Sequence, residues 1–154
     1  MRRVIIVDYN LGNIFSLKNA CERVGLDVTV SADPVKIRGC HQLVLPGVGA
    51  FGVAVENLKQ LDLIDPVIEH AKQGKPLVGI CLGLQLLFSR SEEFGNNLGL
   101  DLIPGVVKRF PDVQDGEKLR IPHVGWNVLN RNASGSSDPL FFHLNEDPYA
   151  YFVH

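Results

Sequence analysis

The stretch that most constrains this fold is residues 76–85, PLVGICLGLQ. Residues 77–80 form a short apolar run that reads as a buried strand, and Leu84-Gln85-Leu86-Leu87-Phe88 begins a helical pattern. Gly79 and Gly83 flank Cys81 between them. A nucleophile at a glycine-lined turn from strand to helix is a nucleophile elbow, here with Cys where hydrolases often carry Ser. The turn is sharp, so side chains at the glycine positions would collide with the neighbouring strand or helix. It also sets Cys81 at a helix N-terminus, where free N–H groups and the dipole favour thiolate over thiol. A free Cys on an apolar strand is commonly an inert core residue. The flanking glycines and the change of period favour the reactive reading.

The rest of the chain supplies a matching scaffold. Residues 4–7 are a continuous β-branched run ending in Asp8, as expected of a strand covered on both faces. Ile14, Leu17, Cys21 and Val24 recur at helical spacing and Gly25 stops them. Asp27–Ser31 and Gln42–Leu45 read as further strands. Val55, Leu58 and Leu61 mark a helix, and residues 66–73 another, with Pro66 at its start and Gly74 at its end. Strands alternating with helices predict a three-layer α/β fold, mostly parallel, with helices on both faces. Ligands bind at the carboxyl ends of such strands, where Asp8, Gly47, Gly49 and Cys81 fall. After Ser91-Glu92-Glu93 the pattern changes. Residues 105–110, two short stretches within 118–129 broken at Pro122, and Tyr149–Val153 read as strands pairing antiparallel or extending the sheet edge. Asp138 is placed to cap a short helix over residues 139–144. A length of 154 residues fits a single domain.

Composition removes several functional classes. The net charge is −2 and no basic run exists, so a nucleic-acid footprint is absent. The apolar run after Arg2-Arg3 is cut at Asp8, too short for a membrane span or a signal peptide. Cys21, Cys40 and Cys81 form no CxxC pair and no even disulfide set, which predicts a reducing, cytoplasmic setting and no metal site.

A cysteine nucleophile needs an oxyanion hole, a pocket and a base. One donor is the N–H of Leu82, left unpaired by the helix start. The glycine-rich segment 46–52 can supply a second. Gln85, one turn after Cys81, shares its face of the pocket, or is simply a half-exposed helix residue. Gly47-Val48-Gly49-Ala50-Phe51-Gly52 also satisfies the dinucleotide pattern G-x-G-x-x-G. It follows the third strand rather than the first, and no acidic strand end follows at the required distance, so that reading carries little weight. Of five histidines, His41 and His70 read as surface residues, His143 as core or interface, and His123 as part of a functional surface beside Trp126. His154 ends the chain, and none is followed two residues later by a carboxylate.

Pro46-Gly47-Val48-Gly49 together with Gly79-Ile80-Cys81-Leu82-Gly83-Leu84-Gln85 resembles the class I (triad) glutamine amidotransferases. Asp8-Tyr9-Asn10-Leu11-Gly12-Asn13, Ser91-Glu92-Glu93, Pro122-His123-Val124-Gly125-Trp126-Asn127 and Tyr151-Phe152-Val153-His154 narrow the resemblance to the glutaminase subunits of imidazole glycerol phosphate synthases. It covers the whole chain and implies a flavodoxin-like sheet. Cys81 would attack the carboxamide of glutamine, with Val48 and Leu82 at the oxyanion positions. Gly49, Gln85 and Glu93 would contact glutamine, Glu93 through its α-ammonium. Asn10, Asn13 and Trp126 would dock on a (β/α)₈ cyclase subunit in a heterodimer, with ammonia passing between the two and no cofactor.

The family pattern continues to a Ser or Thr with Tyr, then to a His-Pro-Glu motif carrying the triad base and its acid. This sequence stops at His154. The resemblance therefore implies a domain over 1–154 that is incomplete at its C-terminus and poorly active. Other readings are a glutaminase serving another synthase, such as a surface-sugar amidotransferase, a non-catalytic docking partner of the cyclase, or a cysteine hydrolase of similar architecture.

Overall fold

The computed structural model describes residues 3–114, 116–130, 144 and 148–154. Asp138, nearly all of the helix expected at 139–144, His143, Glu146 and Asp147 lie outside the described residues. The chain divides into two compact units, one ending at Arg109 and the other starting at Phe110.

The first unit opens with β1 (Arg3–Val7), α1 (Ile14–Arg23), β2 (Asp27–Ser31), α2 (Pro34–Gly39) and β3 (Gln42–Leu45). It continues with α3 (Phe51–Gln60), α4 (Ile64–Lys72), β4 (Leu77–Gly79) and α5 (Leu82–Leu86). The four strands form one parallel sheet in the order β2-β1-β3-β4, the doubly wound arrangement. Alternation along the strands sorts their side chains by face. Ile5, Val7, Leu43 and Leu45 pack with Ile37 of α2, Leu58 of α3, Val67 of α4 and Leu86 of α5. Val4, Ile6 and Val44 face the other way, where Ile14 and Leu17 of α1 cover them. Leu45 pairs with Gly79, so the carboxyl ends of β3 and β4 lie side by side. That register brings the glycine-rich loop next to the elbow.

Several details depart from the sequence reading. The expected buried strand over residues 77–80 is only partly covered, with Val78 and Ile80 exposed. β4 is the edge strand of its sheet, and Val78 shares its face with its register partner Val44, beyond the reach of α1. α2 was not anticipated. It is short, but Asp33 caps it through the N–H of Val35 at 2.9 Å and Pro34 opens it. α4 begins at Ile64, which leaves Pro66 in the first turn, where its missing N–H costs no helix bond. The helix after the elbow is brief. Leu100 N–H takes the carbonyl of Leu86 at 2.8 Å and Leu102 N–H takes that of Leu87 at 2.9 Å, so the helix ends in tertiary bonds. The chain then becomes β5 (Phe88–Ser91), paired antiparallel with β6 (Asn97–Leu98) and parallel with β7 (Ile103–Val107).

The second unit holds two antiparallel pairs. β8 (Val113–Gln114) pairs with β9 (Glu117–Lys118), and β10 (Val124–Val128) with β11 (Tyr149–Val153). The expected break at Pro122 is a cis Ile121–Pro122 peptide. Paired bonds between His123 and His154 backbones, 2.7 and 3.0 Å, extend the second ladder by one step.

Candidate active site

Cys81 is the N-cap of α5 with φ 55° and ψ −116°, a conformation that non-glycine residues rarely adopt. Holding a cysteine there costs on the order of 1–3 kcal/mol, so the surroundings must enforce it. They do so by close approach. A Cβ on Gly83 would overlap the carbonyl oxygen of Leu45, and one on Gly79 would come within 2.6 Å of the Leu84 Cα. Both glycines of the elbow are thus required by contact with backbone, as the sequence predicts. The side chain of Cys81 is exposed, whereas that of Leu82 is buried. Leu82 is the first residue of α5, where a helix leaves its N–H without an intrahelical acceptor.

The loop after β3 leans on this turn. A Cβ on Gly47 would sit 2.8 Å from the Gly83 nitrogen and 2.6 Å from the Tyr9 hydroxyl. Tyr9, fully buried at the end of β1, donates its hydroxyl to the carbonyl of Pro46 at 2.5 Å. Its own carbonyl accepts from the Asn57 side chain of α3 at 3.0 Å. Burial first, and then the nearby charge of Cys81, push the Tyr9 phenol up, which keeps it a proton donor. Sequence reasoning missed Tyr9. The signal was a tyrosine directly after a strand-ending Asp, at the carboxyl edge of the sheet.

Past Gly47 the loop opens. Val48 is exposed and Gly49 takes φ 100° with nothing within 4 Å of a Cβ placed on it. The left-handed backbone, rather than crowding, asks for glycine here. Gln85 is half-buried on α5, its N–H bonded to the Cys81 carbonyl at 3.1 Å. Glu93, in the turn after β5, places Oε2 2.6 Å from the N–H of Phe51, the first residue of α3. Cys81, Leu82, Val48, Gly49, Gln85 and Glu93 all belong to the first unit, around the carboxyl ends of β3 and β4.

The remaining expected residues lie on other elements. Asn10 is exposed with φ 65°, its N–H bonded to Asp8 Oδ1 at 3.2 Å. Asn13 is the N-cap of α1, accepting from the Ser16 N–H at 3.2 Å. Trp126 belongs to the second unit, largely exposed, with its ring edge-on to Tyr151 at 5.4 Å. His41 is exposed as expected, but His70 is fully buried, contrary to the surface reading. The reason is a polar pocket for the ring: Nε2 lies 3.0 Å from the Pro76 carbonyl and Nδ1 3.4 Å from Cys40 Sγ. A carbonyl only accepts, so Nε2 carries the proton and Nδ1 is the bare nitrogen, facing Cys40 Sγ, whose single hydrogen also reaches the Ile37 carbonyl at 3.1 Å. Among the described residues no three His, Cys, Asp or Glu side chains gather to hold a metal, and no helix is long and apolar enough to cross a membrane.

Comparison with known proteins bears on the family and the fold. The family model "Glutamine amidotransferase class-I" matches residues 5–154. A crystal structure titled as a glutamine amidotransferase superposes with a TM-score of 0.69 over 97% of this chain and 70% of that one. At 17% identity that likeness speaks for the fold alone. A putative peptidase E from Listeria monocytogenes shares it more distantly, with a TM-score of 0.55 over 66% of this chain and 63% of that one. An α/β sheet of this order with a cysteine elbow beside a glycine loop defines the class, and the chain belongs to the class-I glutamine amidotransferase family. Within that family it groups with the HisH subunits of imidazole glycerol phosphate synthase. It is 46% identical to that of Sulfurimonas denitrificans over 98% of this chain and 71% of the relative. To that of Moorella thermoacetica it is 46% identical over 100% and 70%. To that of Syntrophotalea carbinolica it is 44% identical over 98% and 73%.

Proposed function

We propose that this chain is the glutaminase subunit of an imidazole glycerol phosphate synthase, acting in histidine biosynthesis, with Cys81 as its nucleophile. The observation that carries the reading is the strained, solvent-facing elbow at Cys81, held against the loop of residues 46–50. Sγ attacks the carboxamide carbon of glutamine and the carbonyl electrons move onto oxygen. The backbone N–H groups of Leu82 and Val48 are the donors for that oxyanion. The proton given up by the thiol passes to the amide nitrogen, so that collapse breaks the C–N bond, releases ammonia and leaves a glutamyl thioester on Cys81. Water then attacks the thioester, releasing glutamate and restoring the thiol. Gly49, Gln85 and Glu93 hold the substrate, the Glu93 carboxylate meeting the α-ammonium in a charge-assisted bond.

The ammonia is consumed by a cyclase subunit with a (β/α)₈ barrel, against which Asn10, Asn13 and Trp126 dock. Support for the partner comes from the relatives, each named as one subunit of a synthase. The other readings, a surface-sugar amidotransferase, a non-catalytic docking partner or a cysteine hydrolase, find no better support among these relatives.

The test is glutamate release from glutamine by the chain with its cyclase subunit, and by the Cys81→Ala variant in the same complex. Turnover, however slow, that disappears in the variant, with a glutamyl adduct trapped on the Cys81 peptide of the unaltered chain, is the expected result. Equal turnover by the variant would exclude Cys81 as the nucleophile.

A further inference from the structure

The loop that lines the elbow is anchored at both ends, and the two anchors differ in kind. Its entrance is fixed from below, where the Tyr9 hydroxyl binds the Pro46 carbonyl and Gly47 lies against Gly83. Its exit is the start of α3, whose N-cap, Ala50, has no side chain that can accept a hydrogen bond. A helix start with no cap of its own leaves its first N–H groups in need of acceptors. Phe51 is fully buried, so its N–H has little recourse to water. Glu93 supplies the acceptor from 42 residues away, at 2.6 Å. A carboxylate there also faces the positive end of the α3 dipole.

Glu93 is itself held. Its N–H donates to Ser91 Oγ at 3.1 Å, and Ser91 is fully buried in β5. Its carbonyl accepts from Asn97 Nδ2 at 2.8 Å. The same Asn97 lies over α3, since a Cβ on Gly52 would come within 2.9 Å of its Oδ1. The turn between β5 and β6 thus grips the first turn of α3 at two successive residues. Between the anchors only Val48 and Gly49 stand clear of packing, and Val48 is the residue whose N–H is assigned to the oxyanion.

We propose that Glu93 is a positioning residue for this loop: its Oε2 fixes the start of α3, and through it the Val48–Gly49 peptide, while Oε1 stays open to the substrate. A carboxylate has about four lone-pair sites, enough to serve an N–H and an ammonium together. The inference rests on Cys81 acting on glutamine, and it adds a mechanical link between the substrate-binding carboxylate and the oxyanion donor.

Two substitutions separate the roles. Glu93→Gln keeps a carbonyl oxygen for the Phe51 N–H and removes the charge that an ammonium needs. Glu93→Ala removes both. In the complex with the cyclase subunit, Glu93→Gln should raise KM for glutamine about tenfold and leave kcat within about twofold. Glu93→Ala should raise KM similarly and lower kcat about tenfold more, the size expected from losing one charge-assisted hydrogen bond. Amide hydrogen exchange at Phe51, read by NMR, checks the anchor without turnover. It should speed up about tenfold in Glu93→Ala and stay near that of the unaltered chain in Glu93→Gln. Equal kcat in the two variants, or unchanged exchange at Phe51 in Glu93→Ala, overturns the proposal. Turnover that does not depend on Cys81 would instead overturn the glutaminase reading, while the exchange result still decides the anchor.

Discussion

The hydroxyl of Tyr9 donates to the carbonyl oxygen of Pro46 across 2.5 Å, joining the end of β1 to the first residue after β3. Tyr9 is fully buried and its phenol is pushed up by that burial and by Cys81, so it holds its proton and serves only as a donor. Tyr9→Phe keeps the ring and deletes the bond, leaving the buried Pro46 carbonyl without this partner. The loss should be about 1–3 kcal/mol, the cost of a buried acceptor left unmade. Denaturant unfolding measures it. A change below about 0.5 kcal/mol, the size typical of surface substitutions, would show that water replaces the hydroxyl.

At Gly83 the limit is steric. A methyl group there meets the Leu45 carbonyl oxygen and crowds the Pro46 carbonyl at 2.8 Å, and neither backbone group can step aside without shifting β3. Gly83→Ala should therefore destabilise the chain by about 3 kcal/mol or more, at the upper end of overpacking costs. Gly125→Ala, with nothing within 4 Å of its Cβ, is the contrasting substitution and should change stability by less than about 1 kcal/mol. Thermal unfolding of the pair checks the ranking, and equal melting points would contradict it.

What the sequence made legible follows the same division between local and long-range causes. The elbow could be read because its chemistry is written in five consecutive residues, and the parallel sheet because β1 and β3 are apolar runs and β2 alternates Val28 and Val30 with polar residues. Residues placed by distant partners were harder to read. Tyr9 gains its role from Pro46, 37 residues on. Glu93 gains its role from Phe51, 42 residues back. His70 looked like a surface residue because it lies in a helix. Its partners, Cys40 and Pro76, come from two other segments of the chain. The helix after the elbow was expected to run on through Phe88, and was cut short by bonds from Leu100 and Leu102 that no local pattern reveals.

The three thiols should react in an order set by their surroundings. Cys81 is exposed at the elbow, Cys21 is partly covered on α1, and Cys40 is buried with its thiol pushed up by that burial. Alkylation requires access and the thiolate form, so iodoacetamide under native conditions should label Cys81 first and Cys40 last. Peptide mass spectrometry over a time course reads the order. Early labelling of Cys40 would mean that the α2–α4 contact opens readily.

The His70 pocket also fixes how stability responds to acid. Burial lowers the His70 pKa, the bonds to the Pro76 and Ile37 carbonyls only partly oppose it, and the positive charge of Lys75 lowers it further. Protonation would put a hydrogen and a charge on Nδ1, which is buried beside the weakly accepting Cys40 sulfur, so the neutral ring is the one that fits. The unfolded chain, with an ordinary imidazole near pH 6.5, binds the proton before the folded one does. Above that pH both states are neutral and this contribution to stability is complete. Below it the unfolded state holds more protons, and stability falls by up to about 1.4 kcal/mol per pH unit until the folded ring also protonates. His70→Gln offers a smaller neutral side chain that does not titrate. It should lower stability at pH 8, because a packed ring and its bonds are lost, and it should flatten the slope between pH 6.5 and 5. Urea unfolding of both proteins at half-unit steps measures this. If the slope persists undiminished in the variant, groups other than His70 govern the acid response.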